Sequence, residues 1–280
     1  MSILRSVRLS VLRSVAMLVC MAGVGSPVLG HEFWISALDY TPGVGQEVKA
    51  ELLVGSDMAG QPYPWLKRNT VAARMLSESW TIDLTGREGD LPALTFAPRE
   101  EGLHRVIFHA QPSFVVFDKP ETFPHYLEYE GLDWVMAAHK ARGLPEVGFA
   151  EMYSRNARAL VQVGPASADQ VDEGTGMPFE LVAMQNPYVA GTDAIDVRLT
   201  WQGEPSAEQQ VAIFVKAPGG SAPADVTRTL VTTDAAGIAR ISLTAEGEYM
   251  LSAVHMEPLE GNVAAVWESH WATLNFEIAR

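Results

Sequence analysis

Thr227-Arg-Thr-Leu-Val-Thr-Thr-Asp-Ala-Ala-Gly-Ile-Ala-Arg-Ile-Ser-Leu243 decides the fold. Its first seven residues are rich in β-branched side chains. Its last six alternate apolar with polar positions, the pattern of a half-buried strand. Asp234-Ala-Ala-Gly237 between them is turn chemistry, which predicts a hairpin. The rhythm continues on both sides. Phe179–Ala183, Asp196–Trp201 and Gln210–Val215 precede the pair, and Gly247–His255 and Trp271–Ile278 follow it. Seven short strands in about 100 residues predict an immunoglobulin-like β-sandwich over 179–280.

Upstream, residues 164–178 are a polar Gly/Pro stretch that predicts a linker. Residues 31–163 predict an N-terminal β-sandwich. Its short strands include Phe33–Ile35, Leu94–Phe96, Leu103–His109 and Phe114–Phe117, with a turn at Thr41-Pro-Gly-Val-Gly45. A helical insertion interrupts this half over about 119–160. Phe123, Tyr126, Leu127, Leu132, Val135 and Met136 fall at helical spacing, Gly143-Leu-Pro145 breaks the pattern, and Phe149–Leu160 predicts a second helix. The fold class is therefore mainly β.

The 280 residues are 48% hydrophobic, enough for a sizeable core and too apolar for a disordered chain. Lys and Arg number 20 against 34 Asp and Glu, an acidic balance that disfavours nucleic acid as a partner. Residues 1–30 have the order of a signal peptide. Arg5, Arg8 and Arg13 precede an apolar run from Val15 to Val24, and Val28-Leu-Gly30 supplies small residues for cleavage. The run is too short to span a bilayer, so no stable membrane span is expected after cleavage. The single cysteine, Cys20, lies inside this leader. The mature chain then has no thiolate metal site and no cysteine nucleophile. The compartment implied is the periplasm.

Several phrases together resemble one family. They are His31-Glu-Phe-Trp-Ile35, Glu121-Thr-Phe-Pro-His-Tyr-Leu-Glu-Tyr-Glu-Gly-Leu132, Tyr153-Ser-Arg-Asn-Ala-Arg-Ala-Leu-Val-Gln-Val-Gly164, Thr233-Asp-Ala-Ala-Gly237 and Trp267-Glu-Ser-His-Trp-Ala-Thr-Leu-Asn-Phe276. In this order they are similar to the exported NikM-like family, domain-of-unknown-function family 4198. The resemblance implies a β-rich exported protein linked to nickel or cobalt uptake. An inner-membrane metal transporter is the partner it implies.

Cleavage after Gly30 would leave His31 at the amino terminus, where its α-amine and Nδ1 can chelate one metal ion. Such a site must be completed from distant strands, because there is no His-Glu-x-x-His helix and no Cys pair. His255 is the first partner expected, with Met256 and Glu257 beside it, and alternation puts His255 and Glu257 on one face. His270 is the next, sharing a face with Glu268, and His109 is the third. His104, His125 and His139 read as solvated residues. The metal set expected is His31, His255, Glu257, His270 and His109, holding nickel or cobalt, with copper as an alternative. A sandwich module without metal and a copper histidine-brace protein both stay open. No phosphate loop, Gly-x-Ser-x-Gly elbow or Ser/His/Asp set is present, so no catalytic group is predicted.

Overall fold

A computed structural model describes residues 31–279, so the predicted leader lies outside the described residues. The first half contains β1 (Glu32–Ala37), β2 (Val48–Ser56), β3 (Ala59–Tyr63), β4 (Thr70–Leu76), β5 (Thr81–Asp83), β6 (Leu94–Phe96), β7 (Gly102–Ala110) and β8 (Ser113–Phe117). Helices α1 (Thr122–Glu130) and α2 (Asp133–Ala141) follow, then a long strand, β9 (Phe149–Val163). The second half adds β10 (Phe179–Ala183), β11 (Ala194–Trp201), β12 (Glu204–Pro205), β13 (Gln210–Lys216), β14 (Val226–Thr232), β15 (Ile238–Ser242), β16 (Gly247–Pro258) and β17 (Trp267–Ile278). The mainly β class holds, and among the described residues no helix is long and apolar enough to cross a membrane.

A nine-stranded sheet runs through both halves in the order β14-β13-β16-β17-β9-β7-β4-β5, with β8 also paired to β9. Its centre is the parallel pair of β17 and β9, Trp267 opposite Glu151 through Asn275 opposite Ala159. One small sheet, β1-β2-β3 with β6, covers one face; the other, β10-β11-β12 with β15, covers the opposite face. We call these the N-face and the C-face. Side chains alternate between them along each strand. Ala157, Ala159 and Val161 of β9 enter the N-face core with Phe33 and Ile35, while Leu160 enters the C-face core with Phe179 and Leu181. The helix pair also packs on the N-face, where Phe123, Tyr126 and Val135 meet Phe149, Trp267 and Trp271.

Two expectations are corrected here. The helical insertion ends at Ala141; Phe149–Leu160 is strand, the first part of β9. Every residue from Asn156 to Val163 is buried, because both faces of this strand are covered. A strand buried on both sides loses its period-two pattern, and the scattered apolar positions then mimic helical spacing. The second correction concerns Asp234–Gly237. The turn forms, with Gly237 N–H donating to Asp234 O at 2.9 Å, but it links different sheets. β14 pairs with β13 in the large sheet and β15 pairs with β11 in the small one.

The stretch 164–178 is pinned to the large sheet rather than free. Arg158 on β9 is 1% exposed and donates to Asp172 Oδ1 and to Glu180 Oε2, both at 2.5 Å. Its guanidinium also reaches Glu173 O at 2.9 Å and Thr175 Oγ1 at 3.2 Å.

Candidate metal centre

The long antiparallel pair of β16 and β17 sets His255 opposite His270 and Glu257 opposite Glu268. Alternation places all four on the C-face. They lie at the end of the sheet that the small C-terminal sheet leaves partly open: Glu257 has 42% of its side chain exposed, whereas His270 is 7% exposed.

The His270 ring is held on one side and unpaired on the other. Ser154 of β9, opposite it in the parallel register, brings Oγ to 2.8 Å from His270 Nδ1. His270 Nε2 is buried and has no hydrogen-bond partner among the described residues. It points at Glu268 Oε1, 3.6 Å away, and Glu257 Oε1, 3.8 Å away. Those separations are too long for hydrogen bonds. Burial, with His255 and His109 nearby, pushes the His270 imidazole down to about 4, so it is neutral at pH 7. Burial first, and then the neighbouring Glu257, hold Glu268 above the usual carboxylate range. When the ring proton is on Nδ1, Ser154 Oγ accepts it and the Nε2 lone pair faces two carboxylates. Three electron-rich groups then converge, and among the described residues no Lys or Arg forms an ion pair with them.

One ligand atom from each of Glu257, Glu268 and His270 falls within 4.8 Å of the others. Neighbouring ligands around an ion with bonds of about 2.0–2.1 Å sit roughly 3.0–3.3 Å apart, whether it is six- or four-coordinate. The 3.6 and 3.8 Å from His270 Nε2 to the two carboxylates are close to that spacing. Trp201 of β11 walls the site, its ring centroid 4.6 Å from that of His255 and 4.3 Å from that of His270. The two imidazole centroids are 6.3 Å apart. His255 thus stands beside the converging atoms rather than among them, and burial lowers its imidazole below the usual range despite Glu257. His109 shares the C-face through its partner Asn156 and lies near enough to act electrostatically on His270.

His31 is elsewhere. β1 packs on the N-face, where Thr273 donates to Phe33 O at 2.8 Å. His31 Nδ1 lies 3.1 Å from Ser56 Oγ, and Arg155 donates to His31 O at 3.3 Å. Burial and the Arg155 charge both lower the His31 imidazole. The structure thus brings together His255, Glu257 and His270, with His109 close by, but leaves His31 across the sheet. A cation at His31 would also face the Arg155 guanidinium.

Glu268 and Ser154 complete the arrangement and were not among the expected site residues. Alternation along Trp267–Trp271 already gave Glu268 the face of His270. Ser154 was hidden by its placement on a predicted helix. His139 and His104 are not solvated. His139 is buried, accepting from Trp267 Nε1–H at 2.9 Å and lying 2.9 Å from Pro145 O through Nε2. His104 is fully buried, with Nδ1 3.0 Å from Gly102 O. His125 is exposed.

A family described as a domain of unknown function, DUF4198, matches residues 28–257. The match spans His31, His109 and His255 and ends at Glu257. No curated protein matches the chain.

Proposed function

We propose, for a chain that belongs to the DUF4198 family, a role as an exported binding protein that captures a divalent transition metal and presents it for uptake. The observation that carries this is the buried Nε2 of His270, unpartnered and 3.6–3.8 Å from two carboxylate oxygens. Glu257, Glu268 and His270 would hold the ion, and Ser154 would fix the imidazole as outer hydrogen-bond partners of metal-bound histidines do. His255 and His109 stand as nearby reserves.

The donor set favours a class of metal. An imidazole suits nickel, cobalt, copper or zinc over calcium and magnesium, and the absence of thiolate disfavours copper(I). Nickel or cobalt follows from the resemblance to the NikM-like family. Export to the periplasm follows from the basic and apolar pattern of residues 1–30, and an inner-membrane transporter would then receive the ion. Capture and release require no catalytic group. A partly exposed Glu257 suits a site that must give up its ion. The copper histidine-brace reading needs a second imidazole beside His31, whereas His109, His255 and His270 lie across the sheet.

Calorimetric titration of metal-stripped mature protein with nickel, cobalt and copper tests the proposal. One ion should bind per chain. His270→Ala and Glu268→Gln should each weaken binding by about tenfold or more, as losing a ligand or its support does. An extra residue retained before His31 should leave the affinity unchanged. Absence of binding would favour the metal-free module. Loss on extending His31, with none in His270→Ala, would move the site to the amino terminus.

A further inference from the structure

The metal ligands lie in register with an apolar row in which Met152 and Ala150 are partly exposed and Phe114 and Val116 are exposed. On the C-face, Glu257 of β16 is opposite Glu268 of β17, Glu268 is opposite Met152 of β9, and Met152 is opposite Phe114 of β8. The row continues beside it, with Val116 of β8 opposite Ala150 of β9. Phe114 is 51% exposed and Val116 59%, while Val115 and Phe117 point to the N-face and pack there. Strands are spaced by about 4.8 Å. Met152 is therefore one strand from Glu268, and Phe114 is two strands away, roughly 10 Å.

The donor set and its charge say what this surface takes. Three protein groups converge on the ion position, which leaves an octahedral nickel or cobalt ion incomplete. Glu257, with 42% of its side chain exposed, opens the site to solvent, and the apolar row begins one strand beyond Glu268. Glu257 and Glu268 neutralise a divalent ion, and His270 adds no charge. The row, Phe114, Met152, Val116 and Ala150, contains no Lys or Arg to hold an anionic co-ligand. We propose that the site takes its metal as a complex with a small, neutral, apolar organic chelator. The ion sits on Glu257, Glu268 and His270, and the body of the chelator lies flat over Met152 and Phe114. This rests on the metal-binding role above and names the form in which the cargo arrives.

The test compares three probes on the metal-stripped mature protein: hydrated nickel(II), nickel(II) complexed by one bipyridine, and nickel(II) complexed by one ethylenediamine. The two complexes leave the same coordination positions open and differ in apolar body. The bipyridine complex should bind about tenfold tighter than the ethylenediamine complex, the gain expected from removing roughly 60 Å² of apolar surface from water. Phe114→Ser with Met152→Ser should abolish that difference and leave hydrated nickel affinity unchanged. Phe114→Ser alone, at an exposed position, should remove part of it and guards against misfolding of the double variant. Equal affinity for the two complexes, or a preference that survives both variants, overturns the proposal while hydrated nickel still binds. If hydrated nickel fails to bind the wild type, the metal-binding role falls instead, and the chelator proposal with it.

Discussion

Arg158→Ala should cost about 3–5 kcal/mol of unfolding free energy, the usual effect of removing one partner from a buried ion pair. For a chain of this size that lowers the melting temperature by roughly 6–20 °C. The side chains of Asp172 and Glu180 are 0% and 7% exposed, so neither can exchange Arg158 for water. Burial already raises the Asp172 carboxyl against the pull of Arg158. Without the guanidinium, Asp172 must take up a proton or draw water into the interior. Arg158→Lys should rescue little. A single ammonium cannot reproduce the fork that reaches Asp172 Oδ1 and Glu180 Oε2 at once. Removing all the charges together, with Arg158→Met, Asp172→Asn and Glu180→Gln, should recover most of the loss, because the desolvation cost disappears with the attraction. Thermal unfolding of the three variants decides the matter. A loss below about 1 kcal/mol in Arg158→Ala would mean that the clasp is as weak as a surface pair.

Arg158 also marks where the sequence stops being legible. The seven strands after residue 178 could be placed from their β-branched and alternating residues and from the Gly, Pro and Asp that part most of them, which punctuate the chain through local conformational preference. The strand β9 could not, because its neighbours cover both sides and erase the alternation that would have identified it. Everything attached to β9 was hidden with it: Ser154 behind His270, Arg158 under the linker, and the parallel pairing that joins the two halves. The destination of a turn is equally invisible. Asp234–Gly237 is turn chemistry whether the next strand returns beside its predecessor or crosses to the other sheet. The site was half legible for the same reason. Alternation within one strand grouped His255 with Glu257, and His270 with Glu268. Only the pairing of β16 with β17 sets the two groups opposite each other. His31 was attractive for the intrinsic chemistry of an amino-terminal histidine, and no local signal reveals which face of a sheet the first strand will cover.

Glu151→Gln should gain stability relative to the wild type as pH rises, by on the order of 3 kcal/mol between pH 4.5 and 8.5. Glu151 is 2% exposed on the N-face beneath α1. It accepts hydrogen bonds from Ser269 Oγ and, at 3.3 Å, from the Tyr126 hydroxyl, while its second oxygen has no partner among the described residues. Burial outweighs those hydrogen bonds and the Arg155 charge, and pushes its carboxyl from 4.5 up to about 7. A carboxyl raised on folding binds its proton more tightly in the native state. Its contribution is therefore complete below pH 4.5 and is lost as pH rises through 7. Glutamine copies the protonated form, keeping an acceptor for Ser269 and having no charge to desolvate. Glu32, also pushed up to about 7 chiefly by burial, should behave alike in Glu32→Gln. The wild-type curve alone would conceal this. His270 is lowered to about 4, so its contribution strengthens as pH rises from 4 to 6.5 and opposes the carboxylates. The difference between variant and parent cancels the histidines, provided both are measured without metal. Denaturant unfolding of the two proteins across this range should give diverging curves. Parallel curves would mean that Glu151 is hydrated in the folded protein and titrates like an ordinary surface carboxylate.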